Sequence, residues 1–150
     1  NHIFSNISVL DTVNQGSEGY AYLKFNLRSF TPGDPALLDS LDLHLYAIDV
    51  EPGTCIEVYK AAADWCSWTL AWVNRPPPQE KLGALTPNGA GWCALDLTAY
   101  AKTLIESNFD DQEDSSIVLK IKADTKGYAV FASADNTYAP PYFEVRYRAA

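Results

Sequence analysis

Apolar and polar residues alternate with a period of two along most of this chain. Over residues 20–27, Ala21, Leu23, Phe25 and Leu27 fall on one side and Tyr20, Tyr22, Lys24 and Asn26 on the other, the pattern of a strand with one buried and one wet face. Residues 40–50 repeat it, with Leu41, Leu43, Leu45 and Ala47 inward and Asp42, His44 and Tyr46 outward. After the turn signal Glu51-Pro52-Gly53-Thr54, residues 55–60 set Ile56 and Val58 against Glu57 and Tyr59, which reads as the second arm of a hairpin. Residues 7–13, 92–97, 117–123, 127–133 and 142–148 supply further strands, the last with Phe143, Val145 and Tyr147 opposite Glu144, Arg146 and Arg148. Residues 83–91 read as a glycine-rich irregular segment.

Helical period appears once. From Thr98, a natural capping residue, Tyr100/Leu104 and Ala101/Ile105 form an apolar stripe. Seven to nine strands, one short helix and no alternation of strands with helices predict an all-β fold, an antiparallel jelly-roll-like β-sandwich formed as a single domain over residues 1–150.

One stretch departs from alternation. Ala63-Asp64-Trp65-Cys66-Ser67-Trp68-Thr69-Leu70-Ala71-Trp72 holds three of the four tryptophans and runs into Pro76-Pro77-Pro78, which neither a helix interior nor a central strand accepts. It is a loop with a heavy apolar anchor. Its tryptophans serve either as a packing plug over the end of the sandwich or as a ligand-stacking platform, Trp68 being the one expected to stay exposed.

Charge narrows the partners. Nineteen acids against eleven bases give a net charge of −8 and a pI near 4.5, which repels phosphate backbones and anionic lipid surfaces and excludes nucleic acid as the expected partner. No apolar run reaches the ~20 residues of a membrane helix, so no membrane insertion is expected. The chain begins at Asn1 and contains no methionine, which suits a mature secreted product, extracellular or at the cell surface. Asn6-Ile7-Ser8 is a glycosylation sequon, making Asn6 a candidate acceptor.

Cys55, Cys66 and Cys93 lack metal-binding or redox spacing. Cys66 follows Trp65 and Cys93 follows Trp92; if both tryptophans enter one core, a Cys66–Cys93 disulfide forms and stabilises the fold by about 3 kcal/mol, leaving Cys55 odd.

Four segments, taken in order, carry a family likeness: Leu23-Lys24-Phe25-Asn26-Leu27; Trp65 with Ala71-Trp72-Val73-Asn74-Arg75-Pro76; Trp92 with Asp96-Leu97-Thr98; and Phe131-Ala132-Ser133-Ala134-Asp135 with Pro140-Pro141-Tyr142-Phe143-Glu144-Val145-Arg146-Tyr147. Together they span nearly the whole chain, and the chain resembles the DNRLRE-domain family, also grouped as carbohydrate-binding module family 96. The resemblance implies a jelly-roll-like sandwich used for attachment to a glycan or cell-surface polymer. Two departures stand out. Ala134 replaces a basic residue usual in the family, which removes a contact to acidic sugars. Residues 1–5 resemble the loop that follows the family's first strand, so one strand is missing.

A missing strand leaves an unpaired edge. Its own N-terminal segment fills it, the edge is tolerated, or a neighbouring copy adds a strand, giving a homo-oligomer or an extracellular fibre. That assembly is the alternative to an attachment module.

Catalytic motifs are missing from the sequence. No nucleophile elbow, P-loop, metalloprotease or dinucleotide motif is present, so no enzyme and no cofactor is expected. Asp110-Asp111-Gln112-Glu113-Asp114 makes Asp110, Asp111, Glu113 and Asp114 either a solvated loop or a structural calcium site. Tyr46 and Tyr59, placed on neighbouring arms of the expected hairpin, either stack sugar rings together with Trp68 or simply stabilise the sheet. A glycan held this way would be neutral or weakly charged.

Overall fold

The computed structural model describes residues 2–4, 7–15, 18–26, 34–66, 69–106, 115–122, 127–133 and 137–148, the backbone alone for 2–4, 7–15, 18 and 72. Among these residues the chain forms β1 (His2–Phe4), β2 (Ile7–Gln15), β3 (Glu18–Phe25), β4 (Leu38–Val50), β5 (Ile56–Ala61), β6 (Lys81–Leu85), β7 (Gly91–Asp96), α1 (Thr98–Glu106), β8 (Ser115–Ile121), β9 (Ala129–Phe131) and β10 (Tyr142–Tyr147). In the first sheet the order is β1-β10-β4-β7, with β9 pairing the far end of β4; in the second it is β2-β3-β8-β5-β6. All pairings are antiparallel. The fold is an all-β sandwich with one short helix.

Alternation explains the core. Leu41, Leu43, Leu45, Phe143 and Val145 of the first sheet face Leu23, Phe25, Ile56, Val58, Ile117 and Leu119 of the second, all buried. Phe25 and Phe143 meet edge to face at 4.9 Å and 65° across the two layers, an arrangement contributing about 0.5–1.5 kcal/mol beyond area burial. Helix α1 adds Tyr100, Ala101 and Ile105 to this core. Its start is held differently from expectation. The Asp96 carboxylate accepts from the Thr98 N–H at 2.8 Å, while the Thr98 hydroxyl accepts from the Leu41 N–H at 3.0 Å and so ties the helix to β4.

Four expectations are corrected by the topology. First, β4 and β5 are not a hairpin: β4 pairs with β10, β7 and β9, whereas β5 pairs with β6 and β8 in the other sheet, so the turn between them is a crossover. Second, residues 83–91 are not wholly irregular. Lys81–Leu85 is a strand paired with β5, and a Cβ on Gly83 would lie 2.8 Å from Leu95 Cδ1, so glycine lets the two layers close at this edge. Third, His2–Phe4 is a strand and not a loop, pairing with β10 with His2 opposite Val145; the chain's own segment lies beside β10.

Fourth, the outer face of β3 is not wet. Tyr22, Ala61, Trp65 and Val118 form a second buried cluster on the outside of the second sheet. The tryptophan loop plugs that face and not the end of the sandwich. Trp65 donates its indole N–H to Ser116 Oγ at 3.0 Å and meets Tyr22 edge-on at 5.8 Å, and Lys24 lies over its ring at 4.6 Å while bonding its carbonyl. Burial pushes the Tyr22 hydroxyl up to about 12, so it stays protonated and donates to Pro76 O at 2.6 Å. That bond anchors the proline run.

Candidate functional site

With one sheet capped by the loop, the outer face of the other carries the exposed chemistry. β4 runs through its middle, and even-numbered residues point outward by the strand period. Register then decides what meets. Tyr46 lies opposite Trp92 on β7, His44 opposite Tyr142 on β10, and Asp42 opposite both Glu144 on β10 and Asp96 on β7.

One end of this face is aromatic. Trp92 contacts Tyr46 edge-on at 5.3 Å and Tyr142 edge-on at 5.2 Å, and Tyr142 stacks on the His44 ring at 4.6 Å with the planes 9° apart. Trp92 remains 48% exposed. The other end is charged. His44 Nε2 lies 3.3 Å from Glu144 Oε1, and Arg146 Nη2 lies 3.5 Å from the same oxygen. Burial, followed by the neighbouring Asp96 carboxylate, raises Asp42 above the usual carboxylate range, with His44 and Arg146 opposing. Flat aromatic surface beside hydrogen-bonding carboxylates suits the apolar faces and hydroxyl edges of sugar rings.

Of the residues expected from sequence, Tyr46 belongs to this face. Tyr59 does not: it sits half-buried on the second sheet, donating to Glu57 Oε1 at 3.0 Å with Lys120 at 5.4 Å over its ring. The two tyrosines are on opposite layers because β4 and β5 are. Trp68, Asn6 and the acidic group Asp110, Asp111, Glu113 and Asp114 lie outside the described residues. Cys66 and Cys93 are not joined in this structure, and Cys55 is free as well. Trp65 and Trp92 do not enter one core. Cys66 therefore sits in the loop over the second sheet, 3.1 Å from Thr69 Oγ1, whereas Cys93 lies on β7 of the first, donating to Leu45 O at 3.4 Å.

Trp92, Tyr142 and His44 had not been placed together from sequence. Parity could have found two of them, since Leu95 is inward on β7 and Phe143 on β10, which sends Trp92 and Tyr142 outward. Only strand pairing brings them side by side.

An antiparallel sandwich presenting an aromatic face on one sheet has the form of a binding module. The chain matches the profile of carbohydrate-binding module family 96 over residues 5–147 and belongs to that family. No curated protein matches it in sequence.

Proposed function

We propose that this chain is a non-catalytic, extracellular glycan-attachment module whose ligand stacks on Trp92, Tyr142 and Tyr46. What supports this reading is a single observation: among aromatic side chains from three adjacent strands, Trp92 stands 48% exposed and meets both Tyr46 and Tyr142 edge-on. Aromatic surface left in water at this density marks a binding face. The ligand is neutral or weakly charged, because Asp42, Asp96 and Glu144 border the platform and repel a polyuronate. Those carboxylates stand together on one face of the sheet, an arrangement that favours binding over the opposed pair of a glycosidase. A fibre built by strand addition has less support, since the place beside β10 is taken by His2–Phe4 of the same chain.

The test is isothermal titration with a panel of soluble neutral polysaccharides and with polyuronates, all in chelator. Binding of a neutral polymer that Trp92→Ala abolishes and Tyr59→Ala leaves intact is expected. Binding to polyuronates alone, or equal affinity in Trp92→Ala with Tyr142→Ala, would remove the platform from consideration.

A further inference from the structure

We propose that Asp42, His44 and Glu144 bind a divalent transition-metal ion, zinc matching them best, at the acidic end of the outer face. This inference does not rest on the glycan reading.

One ligand atom from each of the three residues lies within 4.8 Å of the others. His44 Nε2 and Glu144 Oε1 are already 3.3 Å apart, close to the ~3.4 Å edge of a tetrahedron with metal–ligand bonds of about 2.0–2.1 Å. A small inward rotation of the remaining carboxylate completes three corners. The fourth corner faces solvent, since the site is on the open side of the sheet.

Backbone and ring packing hold the geometry. Asp42 and Glu144 are directly opposed on neighbouring strands, and His44 is two residues along the same face of β4, so none of the three depends on a loop. Tyr142, stacked on His44 with planes 9° apart, fixes the ring plane.

Charge and polar satisfaction point the same way. Three carboxylates, Asp42, Asp96 and Glu144, converge on this end, where the nearby permanent cation is Arg146, 47% exposed and 3.5 Å from Glu144. Next along β4, Ser40 Oγ is buried with no hydrogen-bond partner among the described residues, where the water of a hydrated ion would find a bond. An imidazole nitrogen among the donors disfavours calcium, which takes oxygen ligands, and two carboxylates with one imidazole suit zinc, manganese or iron. The competing account is a plain His44–Glu144 ion pair with Asp42 hydrated beside it.

The two accounts separate in titrations of the full chain, with its three cysteines replaced by serine and prior dialysis against chelator. Zinc chloride is expected to saturate one site, calcium chloride to bind at least about tenfold more weakly, and Asp42→Asn and His44→Gln each to weaken zinc by at least about tenfold. Cobalt(II) added to the chain with these ligands intact provides a readout that does not require a variant to fold. Its paramagnetism should broaden the NMR signals of His44, Tyr142 and Trp92 and spare Trp65 on the other sheet. No saturable zinc binding, unchanged affinity in His44→Gln, or broadening centred away from His44 would overturn the proposal.

Discussion

Truncating Trp65 should unfold the chain far more readily than truncating Trp92, although Trp92 is the tryptophan expected to matter for ligand. Trp65 is 6% exposed, and an indole buried to that extent removes about 150–250 Å² from water. At about 25 cal/mol per Å² this is roughly 4–6 kcal/mol, an upper estimate, and measured truncations of buried tryptophan cost about 3–5 kcal/mol. Trp65→Ala also leaves Ser116, 1% exposed, without the indole N–H that it accepts. A loss of about 4 kcal/mol translates, at about 2–4 °C per kcal/mol for a chain of this size, into a Tm lower by about 8–16 °C. Trp92→Ala gives up half a burial and two edge contacts, about 1–2 kcal/mol and so about 2–8 °C. Trp65→Phe, which keeps an apolar plug and loses the N–H, should fall near 1–2 kcal/mol. Calorimetric scans with glycan titrations on the same samples would decide the matter. If Trp65→Ala melts no lower than Trp92→Ala, the outer cluster is not a second core and the account of the loop fails.

Two further perturbations test the second sheet and its crossover. The hydrogen bond from Lys81, at 2.9 Å, and the one from Tyr59 hold the Glu57 carboxylate below its usual range. A depressed folded value means that Glu57 stabilises the fold above its unfolded value of about 4.3 and that this contribution is lost as pH falls through the folded value. Urea midpoints of Glu57→Gln should therefore fall short of the native chain's near pH 7, and the gap should close as pH falls below the ordinary Glu range; a gap that does not change with pH would exclude a role for the pair. Gly127 has φ +146°, and a Cβ there would lie 2.2 Å from Thr54 Oγ1, so Gly127→Ala should cost about 1–3 kcal/mol. Thr54→Ala introduced beside it should relieve the contacts with Oγ1 and Cγ2 but neither the one with Cβ, at 2.9 Å, nor the backbone strain, so full recovery of Tm in the double variant would refute the strain component.

Most strands and the helix were legible because burial writes a period into the sequence: Leu41, Leu43 and Leu45, or Tyr100, Ala101 and Ile105, can be read as faces without knowing what covers them, whereas His2–Phe4 and Lys81–Leu85 carry no such period. What lies across from a strand leaves no such mark. Pro52-Gly53 reads equally as a hairpin turn and as a step between layers, and the choice decides whether Tyr46 and Tyr59 are neighbours or stand on opposite sides of the molecule. Likewise, Tyr22 occupies a polar position by alternation, and only the return of the tryptophan loop over it, tied by its bond to Pro76, makes it core. The aromatic platform was half visible. Tyr46 was singled out on its strand, whereas its partners arrive from residues 92 and 142, whose pairing with β4 is set by the whole sandwich.

The 13-residue β4 is paired with β10 on one flank and β7 on the other over residues 42–44, and β7 continues along it past Tyr46 to Ala47. Its position has a mechanical meaning. A load applied through a ligand on Tyr46 or His44 enters the sheet at an interior strand, and sliding that strand lengthwise would shear both ladders at once. An edge strand under the same load would peel away bond by bond. The platform is thus seated where traction along the strand is shared by many backbone hydrogen bonds, an arrangement suited to holding on to a polymer under flow.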